Sequence, residues 1–416
     1  MSARLLTGVT ATTDVHSSLD HIAPLLAHLY RARSHHFVVD CGDWFEGTGY
    51  YQLGGGAVER EILTRLYDAV APGNHGFKHY LADPGLHRIT VCANVLDPEE
   101  RPAFQPVRRT RISGRRVAFT GIMGPEAFDA IRVDQRAGLH LADPATALHD
   151  LAARTPDVDT WVLLSHAGFE HDLALAVDCL HLDVVFAGHC HSDHHGPSPA
   201  GHALVVKGAE RARGYAQARL DEDGCWNAGH APYPPAAAPN SLADLTARIS
   251  RFAQYLAEPV GPIAPPWAGT APDRHALLTA VAQRLHHEHG LSVVLADSTL
   301  RPAPLGTALT LGDLLTLEPF SNRLVIADTP GDFTAWLGHI RAPDLAGPLA
   351  AWPHSPTQPG PRRVLTSDYI ADTFLTARQE PTGLMVADAV RAVLTNAPNP
   401  THPPRGATGA ADAFYR

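Results

Sequence analysis

The stretch at residues 40–47, which reads Asp-Cys-Gly-Asp-Trp-Phe-Glu-Gly, most constrains what this chain can fold into. It directly follows the apolar run 37–39, which predicts a short buried strand. A carboxylate at the end of a buried strand, followed by a glycine-punctuated loop, is typical of a functional loop in an α/β protein. Asp43 alone is also compatible with an ordinary turn, so the ends of the other apolar runs have to decide between these interpretations.

Four further apolar runs end in polar side chains that can bind a metal. Residues 5–13 predict a first strand, and the alternate spacing of Asp14 and His16 after it points both side chains to the same side. The other three runs are followed by Asn74 and His75, by His166, and by His189 and His191. Taken singly, such residues could be a helix cap, a core histidine or a polar turn, but five strand ends of this kind together favour one shared site.

The residue types at these strand ends favour a particular chemistry. Carboxylate, imidazole and amide oxygen ligands suit Zn, Mn, Fe or Ni. The set contains few thiols, which argues against a structural zinc site of the cysteine type. Cys190 lies between two histidines, and we expect its side chain to face away from them.

The order of these motifs resembles the calcineurin-like metallophosphoesterase superfamily over about the first 220 residues. The resemblance implies two β-sheets flanked by helices, an αββα four-layer sandwich, with two divalent metal ions (Zn, Mn, Fe, Ni, Co or Mg) at the strand ends. Asp43 would bridge the ions, and the ions would generate a metal-bound hydroxide near neutral pH, because divalent ions lower the pKa of water. By the same resemblance, one ion would be held by Asp14, His16, Asp43 and His191, and the other by Asp43, Asn74, His166 and His189.

His75 has no place among the metal ligands of this pattern. In the family, the histidine at this position stabilises or protonates the leaving oxygen, so His75 and Asp43 are the expected catalytic residues. Nucleotidases of the family have an aspartate shortly afterwards that orients the histidine, whereas Lys78 stands at about that place here. We therefore expect the tautomer of His75 to be set by another group.

The composition limits the class of protein. The 416 residues, 45% of them hydrophobic, suffice for one large or two ordinary domains. The net charge of −10 without a basic block does not favour a nucleic-acid partner, and no apolar run is long enough for a membrane span. The start of the chain leads straight into the first predicted strand, so we expect no signal peptide. Five scattered cysteines favour a reducing compartment, and hence a cytoplasmic location.

The second half of the chain predicts a smaller α/β domain. We expect a catalytic domain over residues 1–230 and, because proline and alanine are frequent there, a linker with a connecting helix over 231–270. Alternating helical and strand patterns predict a second domain over 271–395, and a poorly ordered tail follows at 396–416.

The segment around residues 293–325 resembles the C-terminal domain of 5'-nucleotidases. In that family an arginine at the place of Arg301 contacts the substrate, and an aromatic ring at the place of Phe320 stacks on the base; Phe374 is the candidate for a second ring. A cationic fork and a flat aromatic face physically suit a nucleotide. Phe320 also has the simpler interpretation of a core residue that follows a helix.

The resemblance implies a two-domain hydrolase that releases phosphate from a nucleoside 5'-monophosphate, with a modified nucleotide as one option for the substrate. A phosphodiesterase acting on cyclic nucleotides or nucleotide diphosphates is the main alternative, because the same metal site serves both reactions. A non-catalytic nucleotide-binding protein is the third. The base, the metal and the oligomeric state do not follow from the sequence.

Overall fold

The computed structural model of the protein describes residues 4–301, 303–341, 347–353, 362–375 and 378–398. The tail that the sequence predicts at 396–416 lies outside the described residues from residue 399 onward.

The first part of the chain alternates short strands and helices. In chain order it contains β1 (Gly8–Thr12), α1 (Ala23–Ala32), β2 (His36–Asp40), α2 (Gly49–Gly54), α3 (Ala57–Leu66), β3 (Ala69–Val70), α4 (Phe77–Ala82), α5 (Pro84–His87), β4 (Val95–Leu96), β5 (Arg108–Ile112), β6 (Arg115–Met123), α6 (Pro125–Ala130), β7 (His140–Leu141), α7 (Pro144–Ala153), β8 (Thr160–His166), α8 (Phe169–Asp178), β9 (Val184–Ala187), β10 (Ser198–Ala200), β11 (Ala203–Val206), β12 (Gly214–Leu220) and β13 (Trp226–Pro232).

The second part continues in the same manner. It contains α9 (Ala243–Leu256), β14 (Pro259–Pro262), α10 (Arg274–His289), β15 (Ser292–Ala296), β16 (Ala308–Thr310), α11 (Leu311–Leu317), β17 (Arg323–Asp328), α12 (Phe333–Ile340), β18 (Leu349–Trp352), β19 (Arg363–Ser367), α13 (Asp368–Phe374), β20 (Gln379–Met385) and α14 (Val386–Thr395).

The chain forms two compact units. The first contains residues 1–46 and 56–250, and the second contains residues 47–55 and 251–416. The predicted limits at residues 230 and 271 stay predictions.

The first unit is built on two sheets that share a core. One sheet has the order β13-β12-β1-β2-β3 and the other has the order β10-β11-β9-β8-β6-β5. Apolar side chains from both sheets form one buried cluster, in which the rings of Phe37 and Phe119 stack with centroids 4.4 Å apart. The sandwich that the sequence predicts is therefore confirmed.

Parallel pairing brings the polar strand ends to common edges. Strands β1, β2 and β3 run parallel, and so do β6, β8, β9 and β11. Because parallel strands share a direction, the motifs that follow them lie at the same edge of each sheet. Strands β12 and β13 are not among the strands predicted from the sequence, and β12 pairs antiparallel with β1.

The second unit has its own sheet and cores. Its five strands have the order β18-β15-β19-β17-β20, and β14 pairs separately with β16. Helices α10 and α14 contribute Leu277, Val281 and Val390 to one buried cluster, while Phe333 and Trp336 of α12 lie in another. The second α/β domain is thus confirmed as a fold class. Within the described ranges, no helix combines the length and the apolar character needed to cross a membrane.

Candidate metal centre

The loops after β1 and β2 are joined along their backbones. The amide of Asp14 donates to the carbonyl of Gly42 over 3.0 Å, and the amide of His16 donates to the carbonyl of Asp43 over 2.9 Å. Asp14, His16 and Asp43 have φ angles of 50°, 49° and 57°, in the left-handed region that residues other than glycine rarely adopt. Such strain is typical of functional sites, where the surrounding contacts hold the backbone in place.

The loop after β3 approaches the same place very closely. A Cβ at Gly73 would lie 2.8 Å from the Cα of Asp43 and closer still to its amide nitrogen, so only glycine fits there. This approach lets the amide of His75 donate to Oδ1 of Asp43 over 2.8 Å. Asn74 and His75 are thereby brought beside Asp43.

A first group of possible ligands contains Asp14, His16 and His191. The Nε2 atoms of His16 and His191 lie 3.1 Å apart, and Oδ1 of Asp14 lies 3.9 Å from the former and 3.7 Å from the latter. Ligand atoms that each lie about 2.0–2.2 Å from one ion are roughly 3–4 Å from one another, so these separations suit one metal.

A second group contains Asn74, His166, His189 and Asp43. Nε2 of His166 lies 3.1 Å from Oδ1 of Asn74 and 3.3 Å from Oδ1 of Asp43. The rings of His166 and His189 have centroids 5.0 Å apart, and Asp43, His166 and His189 form a group that could hold an ion.

Asp43 takes part in both groups through different oxygens. Its Oδ2 lies 3.8 Å from Nε2 of His16 in the first group, whereas its Oδ1 lies 3.3 Å from Nε2 of His166 in the second. A carboxylate placed in this way can bridge two cations.

Neighbouring groups hold the His166 ring and the loop that carries His191. Nδ1 of His166 lies 2.7 Å from the carbonyl of Cys41, which fixes the proton on Nδ1 and leaves Nε2 for a ligand bond. Nζ of Lys207, which is fully buried, donates to the carbonyls of Cys190 and Ser192 over 2.8 and 2.6 Å. These two carbonyls flank His191. This role of Lys207 was not predicted from the sequence, although a lysine directly after an apolar strand run was a visible signal.

Burial and neighbouring charges shift the pKa values of the groups in the centre. Burial raises the pKa of Asp43, but the nearby His166 and His75 outweigh burial and hold this pKa well below its ordinary value. Burial lowers the pKa of His166, but the charge of Asp43 outweighs it and raises this pKa to about 9. Burial lowers the pKa of His16 to about 3 and that of His189 to about 4, so both are neutral near pH 7.

The residues present therefore fit two divalent ions. Imidazoles, two buried carboxylates and one amide oxygen are the donors that Zn, Mn, Fe or Ni accept, and the groups lie at the separations that shared coordination requires. The expected pair of divalent ions is confirmed at the level of the cofactor class. The assignment of each ligand stays a prediction.

His75 has a partner that the sequence analysis missed. Its Nδ1 lies 3.0 Å from Oε2 of Glu46, while Lys78 at the expected orienting position is exposed. His75 also lies close enough to His16 and Asp43 to form a third possible ligand group. The signal for Glu46 was present in the sequence, because this carboxylate lies only three residues after Asp43.

The residues predicted to contact a nucleoside lie in the second unit. The Arg301 guanidinium carbon lies 5.5 Å from the centroid of the Phe320 ring, and both side chains are half-buried. The amide of Arg301 donates to the carbonyl of Leu317 over 2.8 Å, which brings the segments after β15 and α11 together. Phe374 packs against Tyr369, with ring centroids 6.4 Å apart, and against a buried cluster of this unit. Its role stays a prediction.

Known proteins resemble the chain in sequence and in fold. The family of calcineurin-like phosphoesterases matches residues 8–193. A 5'-nucleotidase from Bos taurus is 28% identical over 187 residues, which are 40% of this chain and 31% of that protein. The match thus spans less than a third of the length of that relative.

Two solved structures cover nearly the whole chain. A 5'-nucleotidase precursor from Thermus thermophilus superposes with a TM-score of 0.69 at 20% identity, over 94% of this chain and 96% of that one. A sulfate thiohydrolase from the same organism superposes with a TM-score of 0.70 at 15% identity, over 96% and 97%. At these identities the likeness concerns the fold, which is shared by proteins with different substrates.

The matched region carries all the candidate metal ligands, and the fold of both units agrees with the solved structures. Over residues 8–193 the chain is similar to calcineurin-like phosphoesterases, and in sequence and in its two-part fold it is similar to 5'-nucleotidases.

Proposed function

We propose that the protein is a metal-dependent phosphomonoesterase that converts a nucleoside 5'-monophosphate into a nucleoside and phosphate. The observation that carries the proposal is the position of Asp43, whose two oxygens lie near His16 and His166 in two separate ligand groups. A pair of cations held by a common carboxylate is the arrangement that in-line displacement at phosphorus uses.

The chain offers a ligand set for each ion. When bound, the two divalent ions would act as Lewis acids, lowering the pKa of a water and neutralising charge on the phosphoryl oxygens. The first would be held by Asp14, His16, His191 and Asp43, and the second by Asp43, Asn74, His166 and His189.

His75 is the residue that we assign to the leaving group. Hydrolysis joins the oxygen of one water to phosphorus and breaks the bond from phosphorus to the 5'-oxygen, which then needs a proton. The amide of His75 donates to Asp43, and the His75 ring gives the leaving oxygen a proton. The attacking water releases one proton to the solvent, from which the ring regains its own. Phosphate and the free nucleoside are the balanced products.

Arg301 and Phe320 are assigned to the nucleoside part. Their contact at 5.5 Å presents a cationic group and an aromatic face together, and a base can stack on such a face. The relatives named 5'-nucleotidase support this substrate class. A cytoplasmic location, expected from the cysteine content, is part of the proposal, and cell fractionation would test it.

A substrate panel tests the function directly. The protein is loaded with Mn²⁺, Zn²⁺, Ni²⁺ or Mg²⁺ and incubated with nucleoside 5'-monophosphates, cyclic nucleotides, nucleotide diphosphates and p-nitrophenyl phosphate, and free phosphate is measured. We expect rapid release from a nucleoside monophosphate and none after chelation. Cleavage of cyclic nucleotides or diphosphates in preference would identify a phosphodiesterase. Nucleotide binding without any turnover would identify a binding protein.

A further inference from the structure

The carboxylate of Glu46 and the ring of His75 form a largely buried pair within the first unit. Oε2 of Glu46 lies 3.0 Å from Nδ1 of His75, and the two side chains are only 21% and 16% exposed. A carboxylate near neutral pH is only an acceptor, so Nδ1 of His75 has to donate. The bond therefore fixes the tautomer of His75, with the proton on Nδ1.

The residue after His75 packs against the neighbour of Glu46. Gly76 has a φ of 64°, and a Cβ there would collide with the Cβ of Phe45 and lie 2.8 Å from its Cγ. Any side chain at this position would therefore displace Phe45. Phe45 and Glu46 are adjacent in the sequence, so the segment that packs against Gly76 also supplies the carboxylate.

The backbone at Glu46 is itself unusual. Its φ of 62° lies in the left-handed region, where glutamate is uncommon. Strain of this kind persists only where other contacts hold it, and it is frequent at functional sites. The bond between Glu46 and His75 is one such contact, and it aims the carboxylate at the ring.

We infer that Glu46 is the positioning residue for His75, taking the place of the orienting aspartate that this chain lacks. The inference rests on the proposed role of His75 in the hydrolysis. Glu46 keeps the proton on Nδ1 and stabilises the ring when Nε2 also carries a proton, so that His75 can donate from Nε2 to the leaving oxygen.

A second histidine–glutamate pair provides a matched control. Oε2 of Glu100 lies 3.1 Å from Nε2 of His140, and Glu100 has a φ of 61°, nearly the same as Glu46. This pair is 74% and 42% exposed and includes none of the candidate ligands. The same substitutions at Glu100 therefore reproduce the backbone and charge changes away from the centre.

Two substitutions at Glu46 distinguish the effect of its negative charge from the effect of its side-chain length. Glu46→Asn keeps a residue that tolerates left-handed φ but has a shorter, uncharged side chain, and Glu46→Gln keeps the length and an acceptor oxygen. We expect Glu46→Asn to lower kcat for a nucleoside monophosphate about tenfold or more, with a smaller loss on p-nitrophenyl phosphate, whose phenolate leaves without an acid. Glu46→Gln should lie between wild type and Glu46→Asn, and Glu100→Asn should match wild type.

A double variant tests whether Glu46 acts through His75. In a His75→Ala background, Glu46→Asn should cause no further loss, because the group that it positions is gone. Losses that multiply in the double variant, equal losses on both substrates, or loss of bound metal in Glu46→Asn would each overturn the inference.

A spectroscopic readout keeps the inference separate from the proposed function. Two-bond ¹H–¹⁵N correlation spectra of the ¹⁵N-histidine-labelled full chain report which ring nitrogen carries the proton, and the His75→Ala spectrum assigns the signal. We expect an Nδ1-protonated pattern in wild type and in Glu100→Asn, and its loss in Glu46→Asn. An unchanged His75 pattern in Glu46→Asn would overturn the inference even in an active enzyme. The expected change in a chain without phosphatase activity would support it while the proposed function fails.

Discussion

The Nε2 atoms of His16 and His191 lie 3.1 Å apart although 175 residues separate them in the chain. His16 follows β1, whereas His191 follows β9 in the other sheet of the first unit. Their approach depends on both sheets, and Asp43 connects this pair with the group around His166.

Removal of the negative charge of Asp43 should leave at least one of the two metal sites without its ion. Asp43→Asn keeps the shape of the side chain but removes the negative charge that two cations would share. We expect fewer than two metal ions per chain by elemental analysis and a loss of at least roughly two orders of magnitude in kcat. The exposed Asp157→Asn serves as control. Full activity with two bound ions in Asp43→Asn would disprove the dimetal centre.

The buried ammonium of Lys207 should matter through the loop that carries His191. Lys207→Met fills similar space but leaves the carbonyls of Cys190 and Ser192 without their donor. We expect metal affinity to fall about 10- to 100-fold and the free energy of unfolding to fall by about 1–3 kcal/mol.

The exposed Lys78→Met is the matched control for Lys207→Met, and calorimetric titration of the metal-free proteins with Zn²⁺ measures the difference. Unchanged metal affinity in Lys207→Met would show that the loop is held by other contacts.

Recognition of the nucleoside should depend on the pair in the second unit. Removal of an aromatic ring on which a base stacks costs about 1–3 kcal/mol, so Phe320→Ala should lower kcat/KM for the preferred nucleotide about tenfold or more. Arg301→Ala should show the same pattern. Both variants should retain activity on p-nitrophenyl phosphate, which has no base. Equal losses of kcat/KM on both substrates in a folded variant would show that the second unit takes no part in recognition of the nucleoside.

Glu318 should make the stability of the protein depend on pH. Burial raises its pKa to about 7, and its Oε1 accepts from the amide and the side chain of Asn322 over 3.2 and 2.9 Å. An acid with a raised pKa in the folded state stabilises the fold below its unfolded pKa, and this contribution is lost as the pH rises through about 7.

Glu318→Gln retains an acceptor but cannot ionise. Relative to wild type, the variant should therefore gain stability between pH 5 and pH 8, by up to about 3 kcal/mol, measured by urea unfolding at both pH values. Glu380→Gln, on an exposed pair with Arg363, provides the control. An equal difference between wild type and Glu318→Gln at both pH values would contradict the prediction.

The class of fold and the residue types of the centre could be predicted from the sequence. Apolar runs of strand length ending in Asp14, Asp43, His166 or His189 are a local property of the chain, since strand patterns and the polar residues after them are read along a few residues. Their order also carried the family resemblance, which the comparisons support.

The tertiary structure decided which side chains meet and how each is held. Left-handed backbone at Asp14 and Asp43 and the close approach of Gly73 bring separate loops together, and no local pattern specifies those distances. Strands β12 and β13 were likewise missed: β12 pairs with β1 only through a return of the chain after some 200 residues, and β13 pairs with β12. Glu46 was overlooked for the same reason: the contact that sets the tautomer of His75 is made across 29 residues, whereas the sequence pattern directs attention to Lys78 nearby.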